Sequence, residues 1–192
     1  MVQNSISKDE INALPIRRYE GEVVLVAGAA EVARAAADFA AERVVGFDTE
    51  TRPAFRVGQK YAPALAQVAT ARAVYLFQLQ RMDFSSVLRA LLQSKTIKAG
   101  VGIGDDLKAL RETFGFEPQA IADLGAAARR KGVERSGVRA LSAMFLGFRI
   151  PKGTKTSNWA APRLSPAQIA YAATDAWACR ELHLKFETLG MF

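Results

Sequence analysis

Cysteine is almost absent from this sequence, because the 192 residues include a single one, Cys179. A lone cysteine excludes an internal disulfide and a cysteine-rich zinc site, and this is typical of proteins in a reducing compartment. Long apolar runs are missing as well: no stretch approaches the roughly 18 to 20 residues that a membrane span requires. The N-terminus has no apolar core of the signal-peptide type. We therefore expect a cytoplasmic protein without a membrane-spanning segment.

Acidic residues are outnumbered by basic ones. Asp and Glu total 19 against 26 Lys and Arg, which gives a formal net charge of +7 and a sequence pI near 9.8. This balance suits a polyanionic partner such as nucleic acid without identifying one. Half of the residues are apolar, and no repeat or linker divides the chain. We expect a single domain over residues 1–192, with residues 1–20 as an extended arm.

Apolar patterns predict strands first and helices later in the chain. The predicted strands are 23–26, 44–48, 64–69, 73–78 and 96–101. The predicted helices are 30–42, 84–94, 104–115 and a long one over 164–190, with mostly helical structure after Gly115. The strands at 64–69 and 73–78 are too close for a parallel crossover, so the sequence predicts a mixed α/β sheet covered by helices.

The last helix has a well-defined predicted start. Ser165 is the expected N-cap, Pro166 occupies the first helical position, and Gln168 completes a capping box. Further along this helix, Tyr171 precedes Asp175 by one turn, so the two side chains share a helical face. A carboxylate in the middle of a helix with apolar neighbours must be paired or bind a metal.

Further acidic residues follow two predicted strands. Asp48 and Glu50 share one face at the end of the 44–48 strand, and two like charges so close are costly unless a cation lies between them. Asp105 and Asp106 lie at a turn from strand to helix, near the same edge of the sheet. Carboxylates from separate elements form the oxygen-rich site that Mg²⁺ or Mn²⁺ prefers.

Three motifs in order carry a family resemblance. "FDTET", "GVGIGDDLKAL" and "YAATDA" resemble the exonuclease motifs of the DEDD superfamily, and the tyrosine four residues before the last Asp is typical of its DEDDy subgroup, which includes RNase D and Werner-type exonuclease domains. The match runs over residues 44–184, and "TSNW" resembles the segment before the third motif in the Werner-type branch. The resemblance implies a ribonuclease H-like fold and a 3′-5′ exonuclease that uses two divalent metal ions.

The resemblance also implies site residues. Asp48 would bridge two ions, Mg²⁺ or Mn²⁺, while Glu50 and Asp175 would complete the first metal site. Asp106 is chosen over Asp105 because it keeps the family's distance to the downstream Phe-Gly, and it would support the second site. Tyr171 would orient the attacking water. The products would be nucleoside 5′-monophosphates, released from single-stranded nucleic acid or from 3′ ends of RNA or DNA.

Basic residues close to the last helix are candidates for substrate contacts. Lys152, Lys155 and Arg163 would contact phosphate, and Trp159 would stack on a base. The basic runs within residues 129–139 are most often solvated faces.

Several alternatives stay open at this point. The chain could be a nucleic-acid-binding protein with an exonuclease fold and little turnover, or a nuclease for very short oligonucleotides. "GVGIGD" also resembles half of a dinucleotide fingerprint, but Asp105 occupies the third glycine position, where acids would face a pyrophosphate. Cys179 and His183 are four residues apart, and packing in the core is the more common role for such a pair.

Overall fold

The computed structural model describes residues 4–54, 58–59, 61–152 and 157–192. Its centre is a six-stranded mixed sheet in the order β1-β4-β3-β2-β5-β6. The strands are β1 Glu22–Leu25, β2 Val44–Glu50, β3 Leu65–Ala69, β4 Ala73–Gln78, β5 Ile97–Gly100 and β6 Ile121–Asp123. The β2–β3 and β3–β4 pairs are antiparallel and the other pairs are parallel, which confirms the predicted mixed α/β sheet.

Helices cover both faces of this sheet. They are α1 Lys8–Ala13, α2 Ala29–Ala41, α3 Ser85–Leu92, α4 Ile103–Phe114, α5 Leu124–Arg130, α6 Val138–Leu141 and α7 Pro166–Thr188, with a π-helical turn at Ser142–Leu146. The predicted start of α7 is confirmed, because Ser165 caps it and forms a capping box with Gln168. The predicted glycine stop of α4 is also confirmed, since Gly115 adopts a left-handed conformation with φ of 64°. None of the described helices is long and apolar enough to cross a membrane.

Successive side chains of β2 point to opposite faces of the sheet and pack into two separate parts of the core. Val45 and Phe47 pack with apolar residues of α2, α3 and α4 on one face of the sheet. Val44 packs on the opposite face, with residues of α5, α6 and α7. Because side chains alternate along a strand, Asp48 and Glu50 share the face that α7 covers.

The N-terminal segment is not an extended arm, which is a correction to the sequence prediction. Ser7 caps α1 with a complete capping box, and Ile6 and Ile11 are buried against Ala143. A further bridge joins Ile16 to Arg149. The segment is partly helical and packed because its few apolar residues find partners far along the chain.

Candidate active site

Three carboxylates meet where the end of β2 faces α7. One carboxylate oxygen each of Asp48, Glu50 and Asp175 lies within 4.8 Å of the others. Asp175 is buried, whereas Asp48 and Glu50 are half-buried. Strand alternation brings the first two acids to one face, and the packing of α7 on that face adds the third.

Gly46 permits this packing. A Cβ atom at position 46 would lie 1.9 Å from the backbone carbonyl oxygen of Ala176 and 2.8 Å from the backbone nitrogen of Arg180. Only a glycine leaves room for backbone to approach backbone so closely. Because Gly46 precedes Asp48 by two residues and Ala176 follows Asp175, the contact holds the two acids near each other.

Asp106, in the first turn of α4, lies near this cluster and influences Asp48 electrostatically, but it is not one of the three carboxylates whose oxygens meet. The hydroxyl of Thr49 donates a hydrogen bond to Asp106 Oδ1, and Thr49 lies between the two acids of β2. The chain enters α4 through Gly102, which has a φ of 70°. Asp105, by contrast, is exposed. The structure therefore places Asp106, and not Asp105, in contact with β2.

The electrostatics of the group reflect burial and mutual repulsion. Burial, followed by the charges of Asp175, Asp106 and Glu50, raises the pKa of Asp48 well above its usual range. Burial and the neighbouring acids raise the pKa of Glu50 to about 8, and burial raises the pKa of Asp175 to about 7. Burial also raises the pKa of Asp106. A cation bound among these carboxylates would therefore be stabilised by their negative charges.

Tyr171 borders the carboxylates on α7. It is half-buried and lies 6.0 Å, centroid to centroid, from the ring of Trp159. Burial, and then interaction with the charge of Asp175, raises the pKa of the Tyr171 phenol. The phenol therefore stays protonated at neutral pH and keeps a hydrogen to donate.

The donor set fits a divalent cation. Asp175 Oδ1 is buried without a hydrogen-bond partner among the described residues, so a ligand would satisfy it. All the gathered atoms are carboxylate oxygens, the donors that Mg²⁺ and Mn²⁺ prefer. Cys179 and His183 are buried, and neither belongs to the cluster, which is consistent with the expected packing role.

The fold brings two of the predicted nucleic-acid contacts, Lys152 and Trp159, to one cavity and places Arg163 at another. Lys152 is exposed and lines a cavity of about 270 Å³ together with Tyr171. Trp159 is only 5% exposed and packs in the core with residues of β3, β4 and α7, but it also lines this cavity, so its stacking on a base stays a prediction. Arg163 is exposed but lines a different cavity, next to Leu25 and Arg81. Lys155 lies outside the described residues.

Two residues near the site were missed by sequence reasoning. Arg18 lines the same cavity as Lys152 and Tyr171, although no motif in the sequence points to it. Gln67 is fully buried on β3, directly opposite Asp48 on β2. The sequence does contain an indication of Gln67, since this glutamine interrupts the apolar run of residues 64–69.

Comparison with known proteins finds a matching family and several relatives. The family model described as 3′-5′ exonuclease matches residues 23–190. The bifunctional 3′-5′ exonuclease/ATP-dependent helicase WRN of Mus musculus is 32% identical over 98% of this chain, and ribonuclease D of Acidiphilium cryptum is 30% identical over 84% of it. This chain spans 14% and 42%, respectively, of the length of those two relatives.

Solved structures identify the fold. The EXO domain of Nibbler from Aedes aegypti matches with a TM-score of 0.77 at 22% identity, over 92% of each chain. The fold is the ribonuclease H-like α/β fold that the sequence motifs implied.

Proposed function

Because this chain belongs to the 3′-5′ exonuclease family, we propose that it removes nucleotides from the 3′ end of a nucleic-acid strand and releases nucleoside 5′-monophosphates. The observation that carries this proposal is the cluster of three carboxylates from β2 and α7, with Tyr171 beside it on α7 and Asp106 of α4 bonded to the neighbouring Thr49 of β2. Ribonuclease D and the WRN exonuclease are named for this type of chemistry, which supports an RNA or DNA substrate.

In the proposed reaction a water oxygen attacks the phosphorus of the terminal phosphodiester. The bond from phosphorus to the 3′ oxygen of the preceding nucleotide breaks, so the shortened strand keeps a 3′-hydroxyl and the product carries a 5′-phosphate. The Tyr171 hydroxyl, protonated and beside Asp175, would orient this water by a hydrogen bond. A position that holds the water in line with the leaving oxygen lowers the entropic part of the barrier.

The four carboxylates would hold two divalent ions, Mg²⁺ or Mn²⁺. Asp48 would bridge them, Glu50 and Asp175 would complete one site, and Asp106 would support the other. Such ions stabilise negative charge on the attacking and leaving oxygens of a phosphoryl transfer. The raised pKa values of Asp48, Glu50 and Asp175 support this assignment, because bound cations would offset the cost of burying these charges and, at Asp48 and Glu50, the repulsion from the neighbouring acids.

A binding protein without turnover is the competing proposal. It would not need a tyrosine placed beside the carboxylates, and a protein selected only for binding has no reason to gather buried like charges. The acids and Tyr171 together therefore favour an enzyme.

The test uses RNA and DNA oligonucleotides labelled at either end, with Mn²⁺ or with EDTA. A 3′-5′ exonuclease releases the 3′ label at once as a mononucleotide, while a 5′ label marks a ladder of shortening products. Asp175→Asn is the matched control, since it removes one charge without changing side-chain size. Release of the 5′ label first, or equal turnover in EDTA, would contradict the proposal.

A further inference from the structure

The cavity beside Tyr171 has a positive lining. Its 270 Å³ are bounded by Arg18, Lys152, Gln168, Trp159 and Tyr171 among other residues, and no acidic residue belongs to the described lining. Tyr171 borders both this cavity and the carboxylate group. A strand whose 3′ end lies at the carboxylates can therefore continue into the cavity.

The backbone on both sides of Arg18 is fixed. The Arg17 N–H donates to the carbonyl oxygen of Arg149 at 2.9 Å, and the Tyr19 N–H donates to Thr174 Oγ1 at 3.0 Å. Thr174 is fully buried on α7 and precedes Asp175. The N-terminal segment is thus hydrogen-bonded to α7, the helix of the candidate active site. These bonds fix the position of Arg18 at the edge of the cavity.

The two cations of the cavity are unneutralised within the described part of the chain. Arg18 and Lys152 are exposed, and neither forms an ion pair there, whereas Arg34, Arg43 and Arg111 do. The cavity also lies at the start of the 23-residue helix α7, where the helix dipole favours negative charge. The positive lining of the cavity and its position at the start of α7 both favour an anionic ligand.

We propose that Arg18 and Lys152 bind the backbone phosphate of a nucleotide upstream of the bond that is cleaved. This inference rests on the proposed exonuclease function and assigns a substrate site to the N-terminal segment. A phosphodiester is the ligand class because it extends from the reacting end of the strand and because guanidinium and ammonium groups both bind its oxygens.

Arg18→Ala tests the site, and Arg17→Ala is the matched control. Both remove one positive charge from the same segment, but Arg17 lies over the ring of Phe148, at 5.6 Å, and not on the lining of this cavity. Binding of a fluorescent single-stranded oligonucleotide is measured by anisotropy in the Asp175→Asn background over a range of salt concentrations. Arg18→Ala should weaken binding about tenfold at low salt and lower the slope of log affinity against log salt by roughly 0.7.

Wild-type hydrolysis of thymidine 5′-(4-nitrophenyl phosphate), which has no upstream phosphate, reports on the proposed function alone. If the wild type hydrolyses this ester but Arg18→Ala retains the parental slope and affinity, the phosphate site is wrong and the exonuclease stands. If the wild type hydrolyses neither the ester nor an oligonucleotide, the exonuclease proposal fails instead. An equal loss of slope in Arg17→Ala would also overturn the site, since it would indicate only the general charge of the segment.

A second inference comes from the amide of Gln67. The side chain is fully buried, and neither its nitrogen nor its oxygen has a hydrogen-bond partner among the described residues. Its cross-strand neighbours are Asp48 on β2 and the apolar Leu76 on β4. Side chains directly opposite each other in an antiparallel pair have Cβ atoms about 4.5 to 5.5 Å apart, which is within reach for a glutamine amide.

We infer that Gln67 is a positioning residue for Asp48. When the carboxylates hold cations, the amide N–H donates to the Asp48 carboxylate and fixes the orientation of its oxygens. A buried amide without a partner destabilises a protein, so its presence here is explained if the bond forms in the metal-loaded protein. Groups that orient metal ligands in this way typically change metal affinity by 10- to 100-fold.

Gln67→Met keeps the size of the side chain and removes the amide, and Ser142→Ala is the control. Ser142 is also fully buried with an unpartnered hydroxyl, but it lies in the π-helical turn and outside the carboxylate group. Both variants should raise the melting temperature of the metal-free protein. Only Gln67→Met should weaken Mn²⁺ binding, by about tenfold or more, in a calorimetric titration.

Unchanged Mn²⁺ affinity in Gln67→Met would overturn the positioning role. A lower melting temperature of the metal-free protein in both Gln67→Met and Gln67→Leu would overturn it as well, because the amide would then make a stabilising bond without the metal.

Discussion

The Thr49 hydroxyl donates a hydrogen bond to the Asp106 carboxylate and so ties β2 to the first turn of α4. Because side chains alternate along β2, Thr49 points to the face opposite Asp48 and Glu50, and from that face it binds Asp106. This bond opposes the effect of burial by lowering the pKa of Asp106.

Thr49→Val should test that bond, since valine keeps the branched shape of threonine without the hydroxyl. We expect the fold to persist and the concentration of Mn²⁺ needed for half-maximal activity to rise by roughly tenfold. Thr49→Ser keeps the hydroxyl and should behave like the wild type. Equal Mn²⁺ requirements in all three proteins would show that Asp106 is held in place by α4 alone.

Asp48→Ala should abolish nuclease activity while the metal-free protein melts at a higher temperature than the wild type. The carboxylate is proposed to contact both ions, and its removal relieves repulsion with Glu50 and Asp175. Nuclease rates and melting curves with and without Mn²⁺ measure both effects. The exposed Asp105 supplies the control: Asp105→Ala should retain activity, and an active Asp48→Ala protein would refute the two-metal proposal.

Tyr171→Phe should reduce kcat by about 10² to 10⁴ and leave KM nearly constant. The change removes one hydroxyl and leaves the four carboxylates and the packing against Trp159 in place. Single-turnover cleavage of a 3′-labelled oligonucleotide isolates the chemical step. Cleavage at the wild-type rate would reduce Tyr171 to a packing residue of α7.

The metal-free protein should lose stability as the pH rises from 5 to 8. The pKa of Glu50 in the folded protein is about 8 and that of Asp175 is about 7, both above their usual values of 4.5 and 3.8. The folded state therefore binds more protons than the unfolded chain in this window, and deprotonation favours unfolding. Melting temperatures should fall by roughly 5 °C or more across it.

Two comparisons isolate the carboxylates in that experiment. Glu50→Gln should show a weaker pH dependence, and saturating Mn²⁺ should remove most of it in the wild type, because the bound ions keep the carboxylates ionised. A melting temperature that rises with pH in the metal-free wild type would contradict the raised pKa values.

Local patterns were sufficient for the acids and for most of the fold. Asp48 and Glu50 follow from strand alternation, and Tyr171 and Asp175 from helical spacing, so each pair could be predicted from a few neighbouring residues. The strand β6 was missed because three residues are too few to show the alternation of apolar and polar residues that indicates a strand. Asp106 lies on α4 and contacts β2 through the Thr49 hydroxyl, a contact that no spacing rule indicates.

Contacts between distant segments explain what the sequence did not show. Trp159 is buried against residues of β3, β4 and α7, and no local pattern connects it to them. Arg18 lies at the cavity because the main-chain N–H groups on either side of it donate to the Arg149 carbonyl and to the Thr174 hydroxyl, and both acceptors are far away in the sequence. The sequence therefore predicted the acids that the fold gathers better than the surface around them.

Because Gly46 has no side chain, main-chain contacts fix the spacing between β2 and α7 at the site. The gap between strand and helix is set by backbone atoms in contact, and backbone atoms cannot rotate away as a carboxylate side chain can. The negative field at the end of β2 is thus preorganised by main-chain packing before any ion arrives. An incoming cation therefore meets acids whose main chains are already in place, and only their side chains have to adjust.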